Sequence, residues 1–296
     1  MRLQAFDLAD PVPELNAPHA LAVIRPWIDV GSTGSLLMNS LEEQLGSTEL
    51  ASLARPGNFF DFTRYRPTMT RHENSTAIEV PNTVVTSGRQ SGGHDFLTLR
   101  LLEPHTMAEE YVDSVVELFK AMGVKRYCLV GSMYDMVPHT RPLLVTGSAS
   151  NLGLQSGLGV ANVRYSDYQG PTTILSLIGQ RAVQMGIETC SMIVHLPTYL
   201  GMEEDYRGAK RLMEVISSLY DGFALSPEDL AKADGQEHQV STSAEQIIHQ
   251  EPRLGLILKQ LEANYDARNK EESEETPLSP EIEKFLRGLD RRFRQA

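Results

Sequence analysis

The chain has 296 residues, of which 41% are hydrophobic and 22% charged, a composition typical of a globular protein that buries a substantial core. Its net charge of −12 argues against nucleic acid as the main partner, because binding to phosphates requires a basic surface. The first 18 residues contain one basic residue and no apolar segment, and no apolar run approaches the ~20 residues that span a bilayer. We therefore expect a cytoplasmic protein that binds neither nucleic acid nor membrane.

The first predicted elements are a strand, a turn and a helix. The strand is His19–Arg25 and the helix is Ser35–Leu45. Between them lies a Gly- and Ser-rich turn around Asp29, a layout that presents backbone N–H groups to an anion. The turn matches neither GxGxxG nor GxxxxGK(S/T), so we interpret it as an ordinary connection between strand and helix.

An aromatic and basic segment follows, in which Arg64 and Arg66 alternate with aromatic residues. Arginine beside aromatic rings can bind anions or stack on bases. In an acidic chain we favour an internal use, with an arginine stacked on a tyrosine and paired with a carboxylate to hold a loop or a subunit contact. After this segment, Thr76–Val85 and Phe96–Leu102 are predicted to form an antiparallel or edge pair of strands.

Two further helices lead into strands through short glycine turns. Ala108–Met122 precedes the strand Tyr127–Val130, and Thr172–Met185 precedes the strand Ile187–His195. This order indicates right-handed crossovers on a mainly parallel sheet. We therefore predict a three-layer α/β fold, with a mainly parallel or mixed sheet and helices on both faces, as a core domain over residues 1–225.

The remaining residues, 226–296, are predicted to form a small helical C-terminal extension. Helices are predicted at Arg253–Tyr265 and Pro280–Phe293, separated by the charged linker Arg268–Thr276. The segment Lys232–Ser243 is polar and is predicted to be loose. Short amphipathic helices cannot bury their apolar faces alone, so they must pack on the core, on each other or on a partner.

Polar residues concentrate in a loop between two predicted core strands, Tyr127–Val130 and Leu143–Thr146. Prolines stiffen the backbone around His139 and Arg141. An imidazole and a guanidinium held between strand ends suit a ligand site, or a buried arginine that ties the loop down. The candidate ligand-binding residues of the whole chain are Asp29, Arg64, Arg66, His139, Arg141, Tyr168 and Thr172.

A catalytic interpretation of this loop requires more than the loop itself. His139 and His195 would act as acid and base at strand ends. Asp29 and Asp135 could orient them, while Arg141 and the helix start near residue 172 would hold an anion. The sequence shows neither a GxSxG nucleophile motif nor a metal-binding spacing of His, Cys and Asp. We therefore predict no metal and no cofactor, and we favour a non-catalytic role.

Six short motifs occur in a set order along the chain. They are Trp27–Gly31, Asp61–Pro67, Glu103-Pro104, Val137–Pro142, Tyr168–Ile174 and His195–Tyr199. Together they resemble the bacterial branch of the proteasome assembly chaperone 2 family, over roughly Ala20 to Asp221. The resemblance implies an α/β core similar to nucleoside phosphorylases, self-association and, in eukaryotic and archaeal relatives, a chaperone role in assembling proteasome subunits. It implies no established enzyme activity, although some relatives have carried an ATP-grasp label.

Two positions depart from the family pattern. Gln169 and Thr198 stand where many bacterial relatives carry Glu and His, which removes two acid/base candidates. We therefore predict a non-enzymatic, chaperone-like homo-oligomer that binds a protein client. The alternative is a small-molecule binding protein or enzyme, either for a nucleoside or phosphate or of the kind that carries the ATP-grasp label, that uses the loop of His139 and Arg141.

Overall fold

The computed structural model describes residues 1–72, 75–90 and 93–269. The strands in this part are β1 (Arg2–Leu3), β2 (Phe6–Leu8), β3 (His19–Arg25), β4 (Thr48–Leu53), β5 (Thr68–His72), β6 (Ser75–Glu79), β7 (Val84–Gly88), β8 (Phe96–Leu102), β9 (Arg126–Asp135), β10 (Val145–Ala149), β11 (Arg164–Tyr165) and β12 (Glu188–Pro197). The helices are α1 (Thr33–Gln44), α2 (Ala108–Met122), α3 (Leu152–Val160), α4 (Ile174–Gln184), α5 (Tyr206–Leu219), α6 (Pro227–Gln250) and α7 (Pro252–Asn269). None of these helices is long and apolar enough to cross a bilayer. The predicted helix Pro280–Phe293 lies outside the described residues.

Ten strands form one mixed sheet in the order β1-β2-β4-β7-β8-β3-β9-β12-β10-β11. Its centre is parallel, because β3 pairs with both β8 and β9, and β9 pairs with β12. Antiparallel strands extend it on both sides, with β7 beside β8 and β10 beside β12. The carboxyl ends of β3, β9 and β12 therefore meet at one edge, where open α/β sheets usually place their functional residues.

The sheet is buried on both faces, because alternate side chains of β3 point into two separate cores. Ala20, Ala22 and Ile24 belong to the core that contains residues of α2 and α4. Leu21 and Val23 belong to the core that contains residues of α1, α3 and α5. All five side chains are fully buried. The predicted three-layer α/β fold is confirmed.

One predicted strand does not match the observed strands. The strand His19–Arg25 and the helix Ala108–Met122 have the predicted ends. The predicted strand Thr76–Val85 is wrong, since β6 belongs to a separate hairpin with β5 and the next strand of the large sheet begins only at Val84. Pro81 lies between the two strands and cannot donate a hydrogen bond to a strand ladder.

The C-terminal extension contains the helices α6 and α7. The prediction that Lys232–Ser243 is loose is wrong, because this segment lies inside the 24-residue helix α6. The buried residues of α6 are Ala233, Val240 and Ala244, which recur at helical spacing on one side. Helix α6 packs on α5, and α7 folds back on α6 over a small third core around Tyr199. The extension therefore packs on α5 and on the segment that follows β12.

Candidate functional site

Polar side chains gather at the carboxyl ends of β9 and β12, and we call them the strand-end cluster. Asp135 is the last residue of β9, and His195 lies two residues before the end of β12. Thr146 lies in β10, which pairs with β12. His139 and Arg141 lie in the loop that leaves β9. Helix α7 covers this group and contributes side chains to it.

Three members of the cluster form a chain of hydrogen bonds. His195 Nδ1 donates to Asp135 Oδ2 over 2.9 Å, and Thr146 Oγ1 lies 2.8 Å from His195 Nε2. Burial alone would raise the pKa of Asp135, but the hydrogen bond and charge of His195, together with Arg268, hold it at about 2. An ionised carboxylate only accepts, so Nδ1 carries a proton and Nε2 faces the threonine hydroxyl. This geometry fixes the orientation of the imidazole ring and places its second nitrogen within hydrogen-bonding distance of a hydroxyl.

His139 is held by the hydroxyl of Tyr199. That oxygen accepts the backbone N–H of His139 and lies 2.8 Å from its Nδ1. Burial and the positive charge of Arg207 lower the pKa of His139 to about 4, against the opposing charge of Glu262. The ring is therefore neutral at pH 7, with Nδ1 accepting the hydroxyl proton.

The lowered pKa of His139 predicts that acid destabilises the fold. The pKa is about 4 in the folded chain and 6.5 for an ordinary histidine, so the unfolded chain binds more protons between these values. The contribution of this neutral ring to stability is complete above pH 6.5 and is lost as the pH falls to about 4. Between pH 7 and pH 5, the free energy of unfolding measured with denaturant should fall less for His139→Gln than for the wild type. The same change at exposed His238 is the control, and equal losses in all three proteins would contradict the prediction.

Arg141 is occupied by helix α7. Its Nε and Nη2 donate to the two carboxylate oxygens of Asp266, each over 2.9 Å, and its Nη1 lies 3.4 Å from Glu262. The hydroxyl of Tyr265 donates to the carbonyl of Pro142 over 2.7 Å. A carboxylate of the chain itself therefore takes the position that an anionic ligand of Arg141 would occupy, and these bonds attach α7 to the loop.

Replacing Arg141 by Ala should loosen α7. The substitution removes the cation between two helix carboxylates and leaves them close to each other. We expect faster amide hydrogen exchange in α7 and unchanged exchange in β9 and β12. In the wild type at high salt, which screens the ion pairs, exchange in α7 should also become faster, but by a smaller factor. Lys259→Ala, at an exposed position of the same helix, is the control. Unchanged exchange in Arg141→Ala would show that apolar contacts alone hold α7.

Two helix N-termini near this edge are also capped by carboxylates. At the start of α1, Asp29 accepts the backbone N–H of Gly34 over 2.7 Å and that of Ser35 over 3.2 Å. At the start of α4, Glu103 accepts the N–H of Ile174 through both oxygens, at 3.0 and 3.2 Å. These are positions at which a phosphate would bind a helix N-terminus. Asp29 therefore caps the N-terminus of α1, whereas Asp135 orients His195.

The other predicted site residues make their contacts elsewhere. Arg64 and Arg66 are exposed on the segment before β5. Tyr168 is exposed and donates its hydroxyl to a backbone carbonyl three residues later. Thr172 shares a hydrogen bond of 2.5 Å with Ser176 in the first turn of α4. Of the seven candidates, the structure places His139 and Arg141 in the strand-end cluster.

Five residues of the site were not identified from the sequence. They are Thr146 in β10, Tyr199 directly after β12, and Glu262, Asp266 and Arg268 in α7. Glu262 and Asp266 are four residues apart and so share one face of a helix, which is a signal that the sequence contains. In residues 1–72, 75–90 and 93–269, no group of three or more His, Cys, Asp or Glu side chains is placed to hold a metal ion.

A family model that matches most of the chain identifies its family. The model of the PAC2 family matches residues 23–242. The chain belongs to the PAC2 family. This result confirms the proteasome assembly chaperone 2 family that the six motifs predicted. A comparison with curated proteins gives no match.

Solved structures similar to this PAC2 family chain include bacterial proteins. A Mycobacterium tuberculosis protein of unknown function has 26% identity and a TM-score of 0.72, with 90% of this chain and 92% of that chain covered. A Corynebacterium glutamicum protein of unknown function has 19% identity and a TM-score of 0.78, with 91% and 99% covered. A Mycobacterium tuberculosis proteasome-assembly chaperone homologue has 19% identity and a TM-score of 0.68, with 75% and 94% covered. These likenesses establish a shared fold.

Proposed function

We propose that this PAC2 family protein is a non-enzymatic, assembly-chaperone-like protein that acts in the cytoplasm as a homo-oligomer and binds a protein client. One observation carries the proposal. Three positions that would attract a small anionic ligand, namely Arg141 and the N-termini of α1 and α4, hold carboxylates of the chain itself. The fold shared with a protein described as a proteasome-assembly chaperone homologue supports the same function.

In this proposal the helical extension, residues 226–296, faces the client, and residues 1–225 form the core domain that carries it. Helix α7 supports this assignment, because it covers the strand-end cluster on one side and exposes Leu256 to 67% on another. An apolar side chain exposed on a covering helix is available to another protein without disturbing the core.

Two measurements on the full-length protein test the proposal. Size-exclusion chromatography with light scattering should show an oligomer at micromolar concentration, and a monomer would contradict the homo-oligomer. Pull-down from a native lysate should retain a client on the wild type and lose it on Leu256→Glu. The matched control is Leu152→Glu on α3, where the side chain is 79% exposed and should be dispensable. Equal retention by all three proteins would remove α7 as the client surface.

A second function is favoured by the chain of hydrogen bonds through Asp135, His195 and Thr146. An imidazole aimed at a hydroxyl suits a small-molecule binding protein or an enzyme at the loop of His139 and Arg141. In that case a ligand phosphate or carboxylate would replace the α7 carboxylates on Arg141.

A thermal-shift screen with nucleosides, nucleotides and phosphate separates the two functions. A ligand that binds only the folded chain raises its apparent melting temperature. A rise with one compound that is lost in folded Arg141→Ala and His139→Ala would favour the second function. No rise with any compound, together with client capture, would favour the first.

A further inference from the structure

The two cysteines of the chain lie side by side in neighbouring strands of the large sheet. The sequence contains only Cys128 and Cys190, and both are free thiols. Cys128 is in β9 and Cys190 is in β12, and the parallel register of these strands pairs the two residues directly. Both side chains belong to the same core, and they are 0% and 4% exposed. The register of the sheet therefore places the two thiols together inside the protein.

The geometry of this pair is compatible with a disulfide bond. Neighbouring strands lie ~4.8 Å apart, and a disulfide joins residues whose Cα atoms are about 4.4–6.8 Å apart. Directly paired residues of β9 and β12 meet this requirement without movement of either strand. The two Sγ atoms are in contact at 2.7 Å, so one sulfur can attack the other once that other has been oxidised.

The surrounding contacts distinguish the two sulfurs. The thiol of Cys190 donates to Sγ of Cys128, and this hydrogen bond together with burial raises the pKa of Cys190. The hydroxyl of Tyr220 lies 3.8 Å from Sγ of Cys128, and Arg126 donates to the oxygen of that hydroxyl over 3.3 Å. A hydrogen-bond donor and a nearby positive charge favour the thiolate, which is the nucleophilic form of cysteine. Cys128 is therefore suited to attack, whereas Cys190 keeps its proton.

We propose that Cys128 and Cys190 form a reversible disulfide when the protein reacts with hydrogen peroxide. The sulfur of Cys128 attacks one peroxide oxygen, the O–O bond breaks, and the thiol proton leaves with the hydroxide as water. The sulfur of Cys190 then attacks the sulfenic acid on Cys128, so the S–S bond forms, the S–O bond breaks and a second water carries away the proton. Two thiols and one peroxide thus give one disulfide and two waters. Two thiols of a reductant reverse the reaction by exchange.

The disulfide acts as a staple between two central strands. It joins residues 62 positions apart in the chain, so it restricts the unfolded chain and stabilises the fold. The same two strands carry Asp135 and His195 near their other ends, so the bond also fixes the register on which the strand-end cluster depends. In a reducing compartment, disulfides are usually transient and often sense oxidants. This inference depends neither on a client nor on an oligomer.

Peroxide treatment of the folded, full-length protein tests the disulfide. After treatment, the protein is unfolded, alkylated and digested, and mass spectrometry should find the peptides of Cys128 and Cys190 joined. Untreated protein, and treated protein reduced with dithiothreitol, should carry an alkyl group on each cysteine. The melting temperature should rise by about 5–10 °C on oxidation. The matched control Cys128→Ser/Cys190→Ser keeps all 11 methionines, which peroxide also oxidises, and should show no rise.

The single variants test which sulfur attacks. In Cys190→Ser, peroxide should produce a sulfenic acid on Cys128 that dimedone traps, and in Cys128→Ser the thiol of Cys190 should react about tenfold more slowly. The reverse order would overturn the assignment of the attacking sulfur. Two alkylated cysteines in treated wild type, or sulfinic acids in place of the joined peptides, would overturn the disulfide. Joined peptides with an unchanged or lower melting temperature would overturn the staple.

Discussion

Replacing Arg207 by Ala should lower the free energy of unfolding by about 3–5 kcal/mol, the loss that follows removal of one partner from a buried ion pair. Its Nε and Nη2 donate to the two oxygens of Asp205 over 3.2 and 2.7 Å. Asp205 is 2% exposed and Arg207 is 8% exposed, so the substitution leaves a carboxylate without its cation in the interior. Denaturant unfolding followed by circular dichroism measures the loss.

Two further variants isolate the cause. Lys210→Ala removes the cation of a more exposed pair, 2.8 Å from Asp234, and should cost less than about 1 kcal/mol. The double variant Asp205→Asn/Arg207→Met removes both charges and should recover part of the stability lost in Arg207→Ala. A loss below about 1 kcal/mol in Arg207→Ala itself would show that the N–H groups at the start of α5 suffice to stabilise Asp205.

Replacing Ile178 by Ala should cost about 2–5 kcal/mol, because the substitution leaves a cavity between α4 and the sheet. Ile178 is fully buried in the core that contains residues of α2 and α4. Its neighbour Leu177 is 46% exposed, and Leu177→Ala should change the free energy of unfolding by no more than about 0.5 kcal/mol. Both substitutions lie in the same helix, so the difference between their losses in free energy of unfolding reports the effect of burial. Equal losses would contradict the assignment of the buried face.

The fold could be predicted where apolar residues repeat strongly. Helix α2 has buried Tyr111, Val115 and Leu118 at helical spacing and a terminal Gly123, and its observed ends are the predicted ones. Helix α6 lacks such a pattern, because its buried positions are two alanines and a valine in a polar sequence. Its packing on α5 stabilises a helix that local preference does not indicate.

The strand-end cluster could be predicted in part. His195 was expected at a strand end with Asp135 as one of two carboxylates that could orient a histidine, and parallel pairing of β9 and β12 brings the two within hydrogen-bonding distance. The bond between Arg141 and Asp266 depends on how α7 packs against a loop 125 residues earlier in the chain. No local pattern encodes that contact, so the partner of the guanidinium could not be identified from the sequence.

The position of α7 has a consequence for synthesis of the protein on the ribosome. Asp266 follows Arg141 by 125 residues, and Arg268 follows Asp135 by 133 residues. At ~5–20 residues per second, the nascent loop waits about 6–25 s for the helix that covers it. During that interval the guanidinium remains open to chaperones and to polyanions, and a product truncated before residue 252 lacks the helix that covers it. Synthesis of α7 is therefore the event that closes this end of the molecule.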